Sequence, residues 1–233
     1  MTAKEELTAS DPEAAPSVRH LAARVHGRYL VELAQTEAPV GQLVGFHGYG
    51  EDAAAHLEQL RRIPGIERWH RVSVQALHRF YTRSGDVVAC WMTRQDRGLA
   101  IEDNVRYVAA VVEAVQDELG TPARRVLTGF SQGVAMTWRA AAGSGPPCQG
   151  VIALAGDVPP ELAPGSLPPS LPVLLGRGTE DTWYTEAKMD ADLETLARHG
   201  AEVESCVFSG GHEWGEAFLA AAGRFLDRVS PPS

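Results

Sequence analysis

Short apolar segments alternate along the chain with longer segments in which apolar residues recur every three or four positions. The short segments are typical of buried strands, and they cover residues 28–33, 42–46, 71–75, 125–128, 151–155, 173–175 and 201–208. The longer segments are typical of amphipathic helices, and they cover residues 53–63, 102–119, 134–141, 186–198 and 213–229. This alternation predicts an α/β fold with a mostly parallel central sheet and helices on both faces.

The most regular helical stripe lies in the segment that ends at Gly120 and Pro122. Its apolar residues are spaced three or four apart, so one helix face carries all of them. They are Ile101, Val105, Val108, Val112, Val115 and Leu119. Two other segments look irregular. Prolines exclude regular hydrogen bonding between residues 158 and 172, and residues 35–41 resemble a hairpin-like connection between the first two strands.

Length and composition fit one globular domain. The chain has 233 residues, of which 44% are hydrophobic and 22% are charged, and these values are ordinary for a globular protein. We expect residues 1–25 to form an N-terminal tail that is flexible at its start. Residues 26–230 are expected to form a single domain without a large cap. The formal net charge of −9 argues against a nucleic-acid partner.

The cysteines and the N-terminal residues bear on the cellular compartment of the protein. Three cysteines without a Cys-x-x-Cys pair argue against a disulfide framework and favour a reducing compartment. The first residues contain no apolar run, so we expect neither a secretory signal nor stable insertion into a membrane. Together these observations predict a cytoplasmic protein, and the sequence leaves its oligomeric state open.

The pentapeptide Gly129-Phe130-Ser131-Gln132-Gly133 lies where a predicted strand gives way to a predicted helix. A turn this tight strains its central residue, and the two glycines leave room for the neighbouring elements. The serine hydroxyl would then project above the sheet edge, beside the free N–H groups of a helix N-terminus. This context favours Ser131 as a nucleophile over a serine that only caps a helix.

A serine nucleophile needs a base, and two histidines directly follow predicted strands. His47 follows an early strand, and His212 follows the last strand, after a Gly-Gly pair. Catalytic groups gather at the carboxyl ends of the strands in such sheets. The nucleophile-elbow fold orders its members as serine, acid and then histidine. That order favours His212 as the base, with a histidine that caps the last helix as the structural alternative.

The acid should lie between Ser131 and His212 and should follow a strand. Asp181 and Asp157 meet both conditions. Asp181 follows the penultimate strand, which is the usual place for the acid, so we favour it over Asp157 and over its neighbour Glu180. An Asx-turn residue is the structural alternative for both aspartates.

The glycines of His47-Gly48-Tyr49-Gly50 predict a second part of the site. Glycines after a strand let backbone N–H groups turn inward, and acyl transfer needs two such donors for the carbonyl oxygen as it becomes an oxyanion. We predict that the backbone N–H groups of Tyr49 and Gln132 form this oxyanion hole. A phosphate-binding loop is disfavoured because no Gly-Lys-Ser/Thr follows.

Four sequence blocks, taken in order, resemble the phospholipase/carboxylesterase family of α/β-hydrolases, which includes acyl-protein thioesterases. They are residues 46–50, 127–133, 150–156 and 210–212. The resemblance covers residues 41–225 and implies an α/β-hydrolase fold and a serine esterase that works without a cofactor. It places Ser131, Asp181 and His212 at the triad positions and argues further against Asp157.

The chain departs from the family pattern at two places. Val134 stands where the family usually has a second glycine after Ser-Gln-Gly, so the helix packing behind the nucleophile is expected to differ. After Asp181 the chain reads Thr182-Trp183-Tyr184-Thr185, whereas family members often have Val-Pro shortly after the aspartate. The wall of the site is therefore expected to be aromatic there.

Aromatic residues also supply candidates for an apolar acyl pocket, with packing in the core as the alternative. They are Phe80, Tyr81, Trp91 and Trp183.

We predict a carboxylesterase that hydrolyses small to medium acyl esters through an acyl-enzyme intermediate. These esters are its expected small-molecule partners. Thioesterase or lysophospholipase activity on the same triad is an alternative, and so is a non-catalytic hydrolase-fold binding protein. A metal site is disfavoured because no His-x-x-x-His or comparable spacing occurs.

Overall fold

The computed structural model describes residues 16–120, 124–143 and 145–230. The strands are β1 (Arg28–Glu32), β2 (Gly41–Phe46), β3 (Trp69–Gln75), β4 (His78–Tyr81), β5 (Val87–Cys90), β6 (Arg125–Phe130), β7 (Gly150–Leu154), β8 (Pro172–Gly178) and β9 (Glu202–Phe208). The helices are α1 (Ala53–Arg61), α2 (Arg97–Leu119), α3 (Gln132–Ala142), α4 (Glu186–Arg198) and α5 (Glu216–Val229), and a short 3₁₀ helix covers Ile66–Arg68.

Within these residues, seven strands form a central sheet in the order β1-β3-β2-β6-β7-β8-β9. β1 pairs antiparallel with β3, and every other pairing in this sheet is parallel. β4 and β5 form a separate antiparallel hairpin. The predicted α/β class with a mostly parallel sheet is confirmed, and the described residues form no large cap over it.

Helices cover both faces of the central sheet. Gly45 of β2 faces α1, because a Cβ atom on Gly45 would lie 2.5 Å from Nε2 of His56. The next residue, Phe46, pairs with Gly129 of β6. Gly129 faces α3, because its Cβ atom would lie 2.3 Å from Oγ1 of Thr137. Since successive residues of a strand point to opposite faces, α1 and α3 lie on opposite sides of the sheet.

The centre of the sheet is the core of the molecule. Strands β2, β6 and β7 are buried along their whole length, as parallel strands covered on both faces should be. The predicted stripe of α2 faces inward: Val108, Val112 and Val115 are buried, and the other members are half-buried. Gly120 follows the end of this helix, whereas Pro122 lies outside the described residues. None of the helices described is long and apolar enough to cross a bilayer.

The prediction of a hairpin-like connection between the first two strands is wrong. β1 and β2 do not pair, because β3 lies between them. All six residues of β2 are buried, as expected of a strand inside the sheet. β1 lies at the edge of the sheet, where the charged side chain of Arg28 can stay exposed to solvent. The apolar patterns identify both segments as strands, but they carry no information on which neighbour each strand pairs with.

The connection from Gln75 to Ile101 contains structure that the sequence analysis did not predict. It forms the β4–β5 hairpin, closed by a turn in which the Thr82 N–H donates to the Asp86 carbonyl oxygen over 2.9 Å. It also contains the first turn of α2, which begins at Arg97. Each hairpin strand has only four residues, too few for an alternating pattern to stand out.

The N-terminal tail expected for residues 1–25 lies in large part outside the described residues. From residue 16 to residue 27 the chain forms no helix or strand. It contacts β4 through His26, whose carbonyl oxygen accepts a hydrogen bond from the Arg79 side chain over 2.8 Å.

Candidate active site

The turn between β6 and α3 holds Ser131 in a strained backbone conformation. Its φ is 53° and its ψ is −121°, a combination that residues other than glycine rarely adopt. Close contacts require the flanking glycines. A Cβ atom on Gly129 would lie 2.3 Å from Oγ1 of Thr137, and one on Gly133 would lie 2.0 Å from the Phe46 carbonyl oxygen. The turn has the geometry of a nucleophile elbow, with the serine at the N-terminus of α3.

The loops that follow β8 and β9 are held together at the carboxyl edge of the sheet. The Thr179 N–H donates to the Phe208 carbonyl oxygen, and the Glu180 N–H donates to the Gly210 carbonyl oxygen, each over 2.8 Å. Gly178 permits this approach, because a Cβ atom there would lie 2.3 Å from the Gly210 oxygen. The loop with the candidate base therefore meets the loop with the candidate acid.

The side chains of the serine, the histidine and the aspartate form a continuous chain of hydrogen bonds. Nε2 of His212 lies 2.8 Å from Oγ of Ser131, and Nδ1 of His212 lies 2.8 Å from Oδ2 of Asp181. The Phe130 ring packs against the imidazole, with 4.9 Å between ring centres. With the proton on Nδ1, the imidazole donates to the aspartate and accepts from the serine, as nucleophile activation requires.

Asp181 also organises its own loop. Its Oδ1 accepts hydrogen bonds from the backbone N–H groups of Trp183 over 2.8 Å and Tyr184 over 2.9 Å. Its Oδ2 bonds to the histidine, and the side chain is fully buried. Asp181 is thus an Asx-turn residue and the partner of His212 at the same time, because a carboxylate has acceptor sites for both roles.

The competing acids lie apart from the histidine. Asp157 is exposed and pairs with Lys188 over 3.3 Å. Glu180 is also exposed. Among the described residues, neither carboxylate bonds to His212. The structure brings Asp181 to the histidine, as the sequence analysis favoured.

His47, the competing base, is fully buried, and both of its ring nitrogens are engaged. Nδ1 lies 2.7 Å from the Gly48 carbonyl oxygen, and Nε2 accepts from the Ala76 N–H over 3.0 Å. A carbonyl oxygen only accepts, so Nδ1 carries the proton. Burial lowers the pKa of His47 and keeps the ring neutral. His47 therefore supports the loop after β2 and is not free to deprotonate the serine.

The residues predicted for the oxyanion hole lie on neighbouring segments. Gln132 is the first residue of α3, and Tyr49 lies in the loop after β2. The Gln132 side chain is anchored by the backbone N–H of Trp91 over 2.8 Å and the carbonyl oxygen of Met92 over 3.0 Å. In the described part of the chain, the backbone N–H groups of Tyr49 and Gln132 form no turn or loop hydrogen bond. Their role as oxyanion donors stays a prediction.

Trp91, a candidate for the acyl pocket with core packing as the alternative, does not line an open pocket. Its side chain is fully buried, and its Nε1–H donates to the His47 carbonyl oxygen over 2.8 Å. The ring also packs edge-on against Phe46, with 5.7 Å between ring centres. The core alternative applies because Trp91 directly follows β5 and its indole bonds to the first residue of the loop after β2.

The other three aromatic candidates remain at least partly accessible. The half-buried Phe80 ring lies 5.5 Å from the exposed Tyr49 ring. Tyr81 and Trp183 are exposed to 76% and 75%. Trp183 follows Asp181 by two positions, so an aromatic surface lies next to the acid. These positions are compatible with the expected aromatic wall. Its contact with a substrate stays a prediction.

Val134, the departure from the family pattern behind the serine, is fully buried. It packs against Gly156, where a Cβ atom would lie 2.7 Å from Cβ of Val134. The same Cβ atom would lie 2.3 Å from the Ser131 carbonyl oxygen. A glycine after β7 therefore provides the space that the valine of α3 fills.

Glu51 is a residue of this region that the sequence analysis did not single out. Its Oε2 accepts a hydrogen bond from the Gly48 N–H over 2.7 Å. Burial raises the pKa of Glu51, whereas the Gly48 N–H and the nearby His212 lower it. A glutamate in a polar loop carries no distinguishing pattern, so only the fold reveals that this carboxyl group faces the site.

A mostly parallel sheet with a serine elbow, and with a histidine and an aspartate on the loops after the last strands, defines an α/β-hydrolase. The chain belongs to the phospholipase/carboxylesterase family, whose model matches residues 31–230. Members of this family are hydrolases that act on ester bonds. No curated protein sequence matches the chain at a significant level.

Solved structures share the fold. The carboxylesterase of Bacillus cereus is 15% identical, with a TM-score of 0.71, and the match covers 87% of this chain and 94% of that protein. A carboxylesterase from Mesorhizobium loti is 21% identical, with a TM-score of 0.71 and coverages of 86% and 94%. Arabidopsis thaliana SOBER1 is 21% identical, with a TM-score of 0.66 and coverages of 81% and 98%. At these identities the likeness shows the fold.

Proposed function

We propose that the protein is a serine carboxylesterase in which Ser131 is the nucleophile, His212 the base and Asp181 the acid that orients the base. The observation that carries this proposal is the chain of two hydrogen bonds from Ser131 to Asp181 through the imidazole, each 2.8 Å long. A hydroxyl alone is a weak nucleophile near neutral pH, and an oriented base removes that limitation.

The proposed reaction has two steps. His212 Nε2 takes the Ser131 proton as Oγ attacks the ester carbonyl carbon, and the N–H groups of Tyr49 and Gln132 donate to the resulting oxyanion. The bond to the alcohol oxygen then breaks, and that oxygen takes the proton from the imidazole. Water attacks the acyl-enzyme and gives its proton to the same nitrogen. The acid leaves as Ser131 Oγ recovers the proton.

Small to medium acyl esters are the proposed substrates. The described residues form no large cap over the site, and Ser131 is half-buried rather than enclosed. The exposed Tyr81 and Trp183 offer aromatic surface for an acyl or alcohol group. Two of the similar solved structures are carboxylesterases, which supports an oxygen ester as the substrate class.

The test compares para-nitrophenyl ester hydrolysis by the wild-type protein and by Ser131→Ala. We expect the variant to lose activity by at least about a thousandfold and to lose labelling by a fluorophosphonate probe. Equal activity of the two proteins would contradict the assignment of Ser131. A panel of acyl lengths, thioesters and lysophospholipids identifies the substrate, and faster turnover of the latter two would redirect the substrate class while leaving the triad in place.

A further inference from the structure

The peptide bond between Gly48 and Tyr49 is held on its carbonyl side. The Gly48 carbonyl oxygen accepts hydrogen bonds from His47 Nδ1–H over 2.7 Å and from the Glu51 N–H over 3.4 Å. The described residues contain no cis peptide bond, and in a trans peptide the N–H points away from the C=O. The Tyr49 N–H therefore points away from the buried His47.

The peptide bond before Gly48 is held by two side chains, Glu51 on its N–H and Trp91 on its carbonyl oxygen. Oε2 of Glu51 accepts the Gly48 N–H over 2.7 Å, and a carboxylate acceptor makes this bond stronger than a neutral one. Glycine has the widest backbone freedom of any residue, so Gly48 is where the loop most needs restraint. The His47 carbonyl oxygen of the same peptide bond accepts the Trp91 Nε1–H over 2.8 Å. Both peptide bonds that flank Gly48 are therefore held, and the Glu51 carboxylate is the partner of the Gly48 N–H.

The backbone of Glu51 is itself anchored. Its carbonyl oxygen accepts the Ala89 N–H over 2.8 Å, and the adjacent Gly50 N–H donates to the Ala89 carbonyl oxygen over 3.0 Å. Ala89 is fully buried in β5. The carboxylate is thus carried by a backbone that is tied to the β4–β5 hairpin, and it acts as a fixed brace for Gly48.

We infer that Glu51 is a positioning residue, which orients the Tyr49 N–H toward the substrate oxyanion by restraining Gly48. This inference deepens the proposed esterase function and rests on it. Without the brace, Gly48 samples other backbone angles and the Tyr49 N–H is misaligned in part of the population. The loss should fall on kcat rather than KM, because the donor matters most when the charge develops on the oxygen.

The experiment measures kcat and KM for a para-nitrophenyl ester with three variants of Glu51. Glu51→Ala removes the brace, and we expect kcat to fall about ten- to a hundredfold, somewhat less than deleting an oxyanion donor outright. Glu51→Asp withdraws the carboxylate by one methylene and should show a similar loss. Glu51→Gln keeps an acceptor oxygen at the same reach while removing the charge, and should retain most of the wild-type kcat.

Asp52→Asn is the matched control. Asp52 is the next residue and carries the same charge, but its carboxylate caps α1 by accepting the Ala55 N–H over 2.8 Å. Asparagine preserves that cap, so this variant removes a neighbouring negative charge without touching Gly48. Its kcat should match that of the wild type.

A reversible trifluoromethyl ketone gives a second readout, because its adduct with Ser131 places an oxyanion in the hole. Its inhibition constant should rise in parallel with the loss of kcat in Glu51→Ala and Glu51→Asp. Both variants matching Asp52→Asn would overturn the inference, and so would Glu51→Gln failing as badly as Glu51→Ala. A wild-type protein without esterase activity would instead contradict the proposed function, and the inference would fall with it.

Discussion

The carboxylate of Asp181 bonds to the imidazole through one oxygen and to two backbone N–H groups through the other. An amide in its place has one acceptor oxygen and one NH₂ group, so it cannot satisfy both sides. Asp181→Asn should therefore disturb the tautomer of His212. We expect kcat for ester hydrolysis to fall about a thousandfold or more.

Asp157→Asn is the control for this variant. Its carboxylate is exposed and contacts Lys188, and exposed pairs of this kind contribute little to stability. We expect wild-type kcat from Asp157→Asn. An equal or larger loss from this variant than from Asp181→Asn would reverse the assignment of the acid.

The candidate site could be predicted from sequence where local rules suffice. The elbow glycines and the chain order of Ser131, Asp181 and His212 are local or topological signals, and the structure places these side chains together. His212 does not cap the last helix, because α5 begins at Glu216. The burial of Trp91 could not be predicted from sequence. It depends on the β4–β5 hairpin, whose Ala89 pairs with Glu51, and on a hydrogen bond to His47, and both partners lie far away in the chain.

At the scale of elements, the contact between α3 and the end of β2 brings Ser131 close to the loop after β2, which carries Tyr49. Gly133 makes this contact possible. A Cβ atom on Gly133→Ala would lie 2.0 Å from the Phe46 carbonyl oxygen, so α3 must move away from β2. We expect a loss of about 1–3 kcal/mol in the free energy of unfolding, measured by urea denaturation, and a loss of esterase activity.

Gly98→Ala is the matched control for this substitution. Gly98 lies in the first turn of α2, and a Cβ atom there would meet no atom within 4 Å. Alanine favours helix more than glycine, so this variant should be as stable as the wild type or more so. Destabilisation of both variants to the same degree would show that close contact with β2 is not the cause.

Elements could be predicted where their apolar pattern is long enough to stand out from the surrounding residues. The sequence prediction for α4, residues 186–198, matches its observed bounds. The β4–β5 hairpin was missed, because its strands are short and three of the four β4 residues are polar or exposed. The start of α2 was placed too late, because residues 97–99 are exposed and only Ala100 of the first turn faces inward.

At the scale of the whole molecule, one buried carboxyl group makes stability depend on pH. Burial raises the pKa of Asp192 to about 6 from an ordinary value of 3.8, although hydrogen bonds from the Tyr184 hydroxyl and the Val158 N–H lower it. The folded state therefore favours the protonated form. Its contribution to stability is complete below the ordinary value and is lost as the pH rises through about 6.

Asp192→Asn removes this titration and keeps an acceptor for both donors. Between about pH 4 and about pH 7 the wild-type protein should lose about 1–3 kcal/mol of unfolding free energy relative to the variant. Urea denaturation of both proteins across this range measures the difference. Parallel pH profiles would show that Asp192 does not ionise between these limits.

The order of the strands was beyond sequence reasoning. Alternating strands and helices predicted a parallel sheet, and the fold confirms it. The antiparallel β1 at the edge depends on β3 lying between β1 and β2, and that arrangement is set by which surfaces each strand can bury. No pattern within a strand records its neighbours.

The exposed indole of Trp183 lies beside Asp181, so its fluorescence can report on binding there. The chain contains five tryptophans, and Trp183 is exposed to 75%, whereas the others are nearly inaccessible. The shielded ones are Trp69, Trp91, Trp138 and Trp214. A water-soluble quencher such as acrylamide will therefore dim mainly the fluorescence of Trp183. Protection of that signal by a bound compound would show, without any turnover, that the compound occupies the rim next to Asp181.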